Sequence, residues 1–434
     1  MATSTTDSSP AEQPSTAISD FGADVGTPTI GSAVREYIDR LKGGELGSLP
    51  AALGLVVLIG LFGVEANRFI SKINLANLLT QATPIVILAM AVTFALLLGE
   101  IDLAAGATAG VCVVSMAYLL QHGVTPYVAL PAALVIGLAI GLVTGVLVAK
   151  VGIPSFVVTL AFFLSWQGVV LLIAKEGGTL TISNKIIIAI ANRNLPLWLG
   201  WVLLIVTVAG FAAVGLLQAA SRRGQGLSAQ PMGLLAMKAG GLAVVGFIAV
   251  WFLNLNRAFP GAPKRLEGVP VAVPVVIVLV VALSFLLGRT AWGRHVYAVG
   301  GNAEAARRAG INLVWIRVSC FMMVGVLAAI AGMALGSQLN SVSPQTGGGN
   351  TLLLAVGAAV IGGNSLFGGR GKVINAVIGG LTLATIDNGL GLLGKKGSIN
   401  FSESGPKFII TGFVLLIAAS VDALSRKRSL STGH

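Results

Sequence analysis

Residues 84–114 read PIVILAMAVTFALLLGEIDLAAGATAGVCVV, and this stretch decides what kind of protein the chain forms. An apolar run from Pro84 to Leu98 meets Gly99-Glu100-Ile101-Asp102-Leu103, and a second apolar run begins at Ala104. Between residues 76 and 149, Glu100 and Asp102 are the only charged side chains. An acid at the centre of a bilayer costs about 2.5–3.5 kcal/mol even on the gentler insertion scale. Two such acids side by side must therefore sit at an interface, line a watery cavity, or be held by backbone N–H groups. Glycines at 99 and 106 suit a broken helix, whose loosened backbone is tolerated only where protein or a cavity surrounds it. A polar turn between two crossings fits the same residues, and the two readings stay open here.

Outward from this point the chain has the same character. Of 434 residues, 55% are apolar and only 10% charged, against roughly 25% charged in an average soluble domain. That excludes a soluble enzyme and a disordered chain. Apolar stretches follow one another at 50–66, 76–99, 103–121, 127–149, 155–174, 197–218, 240–256, 270–288, 316–337, 351–369, 373–394 and 406–423. A crossing needs about 20 mostly apolar residues, so the fold class is an all-α, polytopic transmembrane helical bundle of 10 to 12 spans. Pro84, Pro131 and Pro274 fall within or near the expected first turns, where proline costs little.

The flanks differ. Residues 1–30 are rich in Ser, Thr, Ala, Asp and Pro and read as a disordered cytosolic tail, with no basic-then-apolar leader pattern. Over 31–48, Val34, Tyr37, Ile38 and Leu41 recur at helical spacing. Arg35 with Asp39, and Glu36 with Arg40, pair four apart on the polar side. An amphipathic helix against membrane lipid is expected there, followed by a membrane domain over 49–425 and a basic cytosolic tail over 426–434. The net charge of +12 comes from loops between apolar stretches, where Lys and Arg set orientation and meet anionic lipid. Nothing in it resembles a nucleic-acid motif. Placing the N-terminus in the cytosol puts 17 of the 28 bases on that face, which predicts both termini inside.

The chain carries no recognisable catalytic, cofactor or metal site. The nearest approach to a Walker A loop, Gly368-Gly369-Arg370-Gly371-Lys372, has Leu366 where the first glycine belongs and Val373 where a hydroxyl must hold magnesium. Three histidines, at 122, 295 and 434, are scattered, and Cys112 and Cys320 lie inside apolar stretches. Such a chain moves a solute or anchors a complex.

Three further features stand out. Gly362-Gly363-Asn364-Ser365-Leu366-Phe367-Gly368-Gly369 repeats the Gly-x-x-x-Leu-x-x-Gly frame of Gly99 to Gly106, and transporters are often built from repeats with glycine-interrupted helices. Residues 289–317 hold five arginines, with Asn302 a fitting N-cap for a short helix over 303–309 that ends at Gly310. A charged helix between two crossings, on the arginine-rich face, suits docking of a cytosolic partner. Asp387, beside Asn388, is the one acid in the 373–394 stretch and a functional candidate on that ground.

With these residues in hand, the chain resembles the inner-membrane permeases of sugar ABC importers, in the branch that serves ribose, xylose and related sugars. The resemblance runs from about residue 49 to 425. It is carried by Gly99–Leu103, Pro154-Ser155-Phe156-Val157-Val158-Thr159-Leu160, the Gly300–Gly310 loop, Gly362–Gly371 and Asp387-Asn388-Gly389. The added apolar pair around 197–256 is similar to that of xylose-type members. Ala104 and Ala105 depart from the Ser-Val common in this family, and the proline-bearing continuation of the coupling motif is absent.

The resemblance implies a bacterial inner-membrane subunit, not itself an enzyme, working with cytosolic ATPase subunits and an extracytoplasmic sugar-binding protein. A homodimer importing a monosaccharide, a pentose such as xylose, is implied with them. It makes Gly301, Asn302, Glu304, Arg307, Arg308 and Gly310 the ATPase-coupling loop, through the Glu-Ala-Ala-x-x-x-Gly pattern of Glu304 to Gly310. Glu100, Asp102, Asn364, Ser365, Asp387 and Asn388 are candidates for the translocation pathway. The alternative is an ion-coupled secondary transporter that uses Glu100, Asp102 or Asp387.

Overall fold

The computed structural model describes residues 31, 47–225 and 231–431. The expected tail over 1–30 and nearly all of the expected interfacial helix over 31–48 lie outside these residues. Among the described residues, eight helices are long and apolar enough to cross a membrane, and four shorter apolar helices accompany them. Each of the twelve expected stretches contains one of these helices.

The chain runs as α1 (Leu49–Glu65), α2 (Lys72–Leu97), α3 (Ala105–Gln121), α4 (Pro126–Val146), α5 (Ser155–Ala174), a short α6 (Lys185–Asn192), α7 (Leu197–Gly224) and α8 (Met232–Asn254). It continues as α9 (Ala272–Arg289), α10 (Ala291–Gly301), α11 (Ala303–Arg308), α12 (Leu313–Leu339), α13 (Gly349–Ile361), α14 (Val373–Leu393) and α15 (Ser404–Ser431). Two small antiparallel pairs close one end of the bundle: β1 (Leu180–Thr181) with β2 (Ser341–Val342), and β3 (Lys395–Lys396) with β4 (Ile399–Asn400).

Two expectations change. The stretch 351–369 is not one helix. α13 stops at Ile361 after 13 residues, about 20 Å at 1.5 Å per residue, short of the roughly 30 Å hydrocarbon core. Gly363, Gly368, Gly369 and Gly371 then take positive φ and carry an irregular link into α14. Pro84 is not near a helix start, because α2 begins at Lys72 and places the proline well inside it. Ser71, whose hydroxyl accepts the Asn74 N–H at 3.4 Å, caps the earlier start.

The centre of the bundle is α2 and α12, whose most apolar windows are 78% and 67% buried. Apolar side chains gain nothing from leaving lipid, so membrane helices associate through close packing of small residues. On α4, Gly137, Gly141 and Gly145 form such a ridge against α12. A Cβ on Gly141 would overlap the Phe321 carbonyl and lie 2.7 Å from Met322 Cα, and one on Gly145 would lie 2.7 Å from Val318 Cα. Much of the glycine excess is thus spent on backbone contact. By contrast α7 and α8 are each 6% buried and pack chiefly on each other, a peripheral pair at the rim.

Candidate functional site: a polar cavity and a glycine junction

The helices α2 and α14 lie together, and each of their ends forms a distinct site. At the end closed by β1–β2 and β3–β4, a cavity of about 570 Å³ opens between α2, α12, α13, α14 and α15. Its polar lining comes from Asn74 and Gln81 on α2, Gln338 on α12, Thr351 on α13, Asp387 and Asn388 on α14, and Lys407 on α15. Asn74 Nδ2 donates to Asn388 Oδ1 at 2.9 Å, and Asn388 Nδ2 donates back to Asn74 Oδ1 and on to Gln81 Oε1, both at 3.0 Å. Lys407 Nζ lies 2.9 Å from Asp387 Oδ1. The wall therefore presents amides and a neutralised ion pair over an apolar base of Pro84, Ile85, Leu335 and Leu354. That chemistry suits a neutral, hydroxyl-bearing solute, whose groups donate and accept alternately.

At the opposite end the two glycine frames meet. The Gly369 N–H donates to the Leu97 carbonyl at 2.9 Å, joining the end of α2 to the 362–372 link directly. α10 closes on both: a Cβ on Gly300 would overlap the Leu97 carbonyl and lie 2.8 Å from the Gly369 nitrogen. A Cβ on Gly368 would lie 2.6 Å from the Gly300 carbonyl oxygen. Three glycine-bearing segments, far apart in the chain, thus touch through their backbones.

Polar side chains secure this junction. Asn364, 1% exposed, donates from Nδ2 to Thr93 Oγ1 at 2.9 Å. Its Oδ1 accepts the Lys372 N–H at 2.9 Å and Asn375 Nδ2 at 3.1 Å. Ser365 is buried in the same turn, its N–H on the Arg370 carbonyl at 3.0 Å and its hydroxyl accepting the Phe367 N–H at 3.2 Å.

The acids of the 98–104 link are also engaged. Glu100 Oε1 faces Arg317 Nε on α12 at 3.5 Å. Asp102 accepts the Ala104 N–H at 2.7 Å and the Ala105 N–H, so its carboxylate serves the free donors at the start of α3. Burial pushes the Asp102 carboxyl up to about 6, against the downward pull of those two N–H groups.

α10 rests across the junction. Trp292 Nε1 donates to Ser319 Oγ on α12 at 2.7 Å, its ring lies 6.0 Å from that of Phe94, and the Tyr297 hydroxyl donates to the Gly371 carbonyl at 2.8 Å. Burial raises the Tyr297 phenol above its usual value, which keeps it a donor. Asn302 then caps α11 by accepting the Ala305 N–H at 2.9 Å, and Gly310, at φ +82°, follows its C-terminus. Ala306 is the buried residue of α11. Glu304 is exposed and paired with Arg307 at 2.9 Å and Arg308 at 3.2 Å, so this short helix presents charge outward.

The structure therefore separates the sequence candidates into two groups. Asp387 and Asn388 stand on the cavity wall, whereas Glu100, Asp102, Asn364 and Ser365 lie at the glycine junction beside Gly301 and α11. Sequence reasoning missed Asn74, which lies ahead of the expected helix start, Gln81, whose partner Asn388 is 307 residues away, and Lys407, whose partner Asp387 stands on the neighbouring helix α14. It also missed α10. The spacing of Trp292, Val296 and Val299 at i, i+4 and i+7 was its signal.

Helices of this length and apolarity, a polar cavity walled by them and a charged helix between crossings define a multi-pass membrane permease. The chain belongs to the family described as "Branched-chain amino acid transport system / permease component", which matches residues 74–419. The xylose transport system permease protein XylH of Haemophilus influenzae is 33% identical over 391 residues, covering 90% of this chain and 99% of that one. XylH of Escherichia coli K12 is 32% identical, covering 84% of this chain and 88% of its own length. The ribose import permease protein RbsC of the same strain is 29% identical, with 85% and 92% covered. No solved structure matches the chain.

Proposed function

We propose that this chain is the membrane subunit of an ABC-type sugar importer that moves a monosaccharide, a pentose such as xylose, into the cytoplasm. The observation that carries this is the cavity. Its amides and its closed Asp387–Lys407 pair match hydroxyl groups, and the helices that bear them, α2 and α14, end at the junction under the charged helix α11. The family description names branched-chain amino acids. An amino acid brings a carboxylate and an ammonium that need uncommitted charges, and here the two charges of the wall hold each other. The sugar named for the nearly full-length relatives is therefore the better reading.

In this reading α11, with Glu304, Arg307 and Arg308 outward, receives a pair of ATPase subunits, and the cavity end receives an extracytoplasmic sugar-binding protein. Two copies of the chain form the membrane unit. The arginine-rich end, with Arg289, Arg294, Arg317 and Arg370, faces the cytosol, as do both termini. Asp387 and Asn388 line the sugar path; Glu100, Asp102, Asn364 and Ser365 hold the junction. Ion coupling has less support, since Glu100, Asp102 and Asp387 are each already committed to a cation or to backbone N–H groups.

The test is uptake of labelled xylose into proteoliposomes holding this chain with ATPase subunits and a sugar-binding protein. Uptake that requires ATP and all three components is expected. Uptake that survives without ATP and collapses with an uncoupler would overturn the proposal.

A further inference from the structure

Two adjacent glycines at the end of α10 have opposite surroundings. A Cβ on Gly301 would meet nothing within 4 Å. A Cβ on Gly300 would overlap the Leu97 carbonyl at the end of α2 and lie 2.8 Å from the nitrogen of Gly369 in the link that leads into α14. Gly300 thus lets α10 sit directly on the Leu97–Gly369 backbone hydrogen bond. Gly368 and Gly369 reciprocate: Cβ atoms on them would lie 2.6 Å from the Gly300 oxygen and 2.9 Å from the Gly301 Cα. Tyr297, one turn earlier on α10, adds its hydroxyl to the Gly371 carbonyl.

We infer that Gly300 is the positioning residue through which movement of the docking helix α11 reaches α2 and α14 together, and that Tyr297 is its second point of attachment. The inference rests on the proposed importer function and names the transmitting contact within it. Its basis is continuity. α11 follows α10 after Asn302 alone; α10 touches the end of α2 and the 362–372 link that enters α14; and α2 and α14 carry Asn74, Gln81, Asp387 and Asn388 to the cavity. A backbone-to-backbone contact transmits displacement with little play, because no rotamer intervenes to absorb it. The Asn364 clasp to Thr93 and Asn375 ties α2 to α14 at this same end, so the two cavity walls move as one body relative to α12, α13 and α15.

The experiment compares Gly300→Ala, Gly210→Ala and Tyr297→Phe in the reconstituted complex with ATPase subunits and binding protein. It measures ATPase subunits retained on purification, ATP hydrolysed, and sugar taken up per ATP. Gly210→Ala, on the peripheral α7 where an added Cβ would meet nothing within 4 Å, should match the wild type in all three. Gly300→Ala should keep its ATPase subunits and hydrolyse ATP while uptake per ATP falls about tenfold, the size of a typical coupling between two sites. Tyr297→Phe, which loses one hydrogen bond and keeps its ring, should lower uptake per ATP roughly threefold with an unchanged unfolding temperature.

A wild-type coupling ratio in Gly300→Ala overturns the inference. So does loss of the ATPase subunits, because it would make this contact part of docking and not of transmission. Should Gly300→Ala fail to accumulate, Tyr297→Phe decides: a wild-type ratio there overturns the inference as well. Failure of the wild-type chain to couple uptake to ATP would instead strike the importer reading itself.

Discussion

At one end of the α2–α14 pair, Asn364 spends its amide on Thr93, the Lys372 N–H and Asn375, and all three side chains are buried. At the other end, Asn388 spends its amide on Asn74 and Gln81 along the wall of an open cavity. The donors and acceptors are of the same kind and bridge the same two helices. What differs is access to water. In the dry clasp a lost partner leaves buried groups with nothing to bind, whereas in the wet one water takes the vacated place. The same chemistry therefore makes a lock at one end and a water-exchangeable surface at the other.

The largest effect should come from breaking the dry end. Asn364→Ala leaves the buried Asn375 amide and the part-buried Lys372 N–H unpaired, a loss of roughly 2–6 kcal/mol at about 1–3 kcal/mol per orphaned group. Thermal unfolding of the detergent-solubilised protein should show it, with uptake lost alongside. Asn388→Ala at the wet end should cost less than about 1 kcal/mol of stability and show itself as a raised KM for sugar. Equal losses of stability in the two variants would erase the distinction between the ends.

Next in size is the pair Asp387–Lys407 on the cavity rim. Asp387 is 59% exposed, so the pair contributes only about 0–1 kcal/mol to folding. Removing one partner exposes a lone charge to a neutral solute. Asp387→Asn and Lys407→Gln should each lower sugar uptake roughly three- to tenfold at near-normal stability, and the double variant should recover part of the loss. A double variant as poor as the singles would show that the individual groups, not their mutual neutralisation, contact the solute.

The contrast between the two ends also explains what was legible in the sequence. Apolar runs announce crossings by themselves, and 155–174 coincides with α5 end to end. The Asn302 cap and the Gly310 stop are local signals, spelled within a single turn, and both appear as read. The cavity depends on Asn74 meeting Asn388 across 314 residues of chain, and no spacing within one sequence states that. The repeated glycine frame hinted at the junction. Its meaning, that the second link hydrogen-bonds to the end of α2 under a third glycine, Gly300, emerges only when the segments are brought together. The missing last turns of 351–369 have a plainer cause: Leu366 and Phe367 look apolar, but the glycines on both sides adopt conformations that no helix contains.

The smallest effect tests whether the junction end is as dry as its amides suggest. Asp102 lies in the non-helical link between α2 and α3, 5% exposed, with burial pushing its carboxyl from 3.8 up to about 6. The folded protein then binds a proton near pH 6 that the unfolded chain releases near 3.8. Between those values the native state holds more protons, so the stability Asp102 contributes is present in acid and lost as pH rises through about 6. From about pH 6.5 to about 7.5 the change is only about 0.1–0.2 kcal/mol, and it steepens toward about pH 5. Unfolding temperatures measured across that range should fall with rising pH in the wild type and lose that slope in Asp102→Asn, which cannot titrate. A slope that persists in Asp102→Asn would mean that water reaches this carboxylate and holds its pKa near the ordinary value. The junction would then be wet at the place where α3 begins, and the division of the α2–α14 pair into a dry and a wet end would have to be drawn nearer to Asn364.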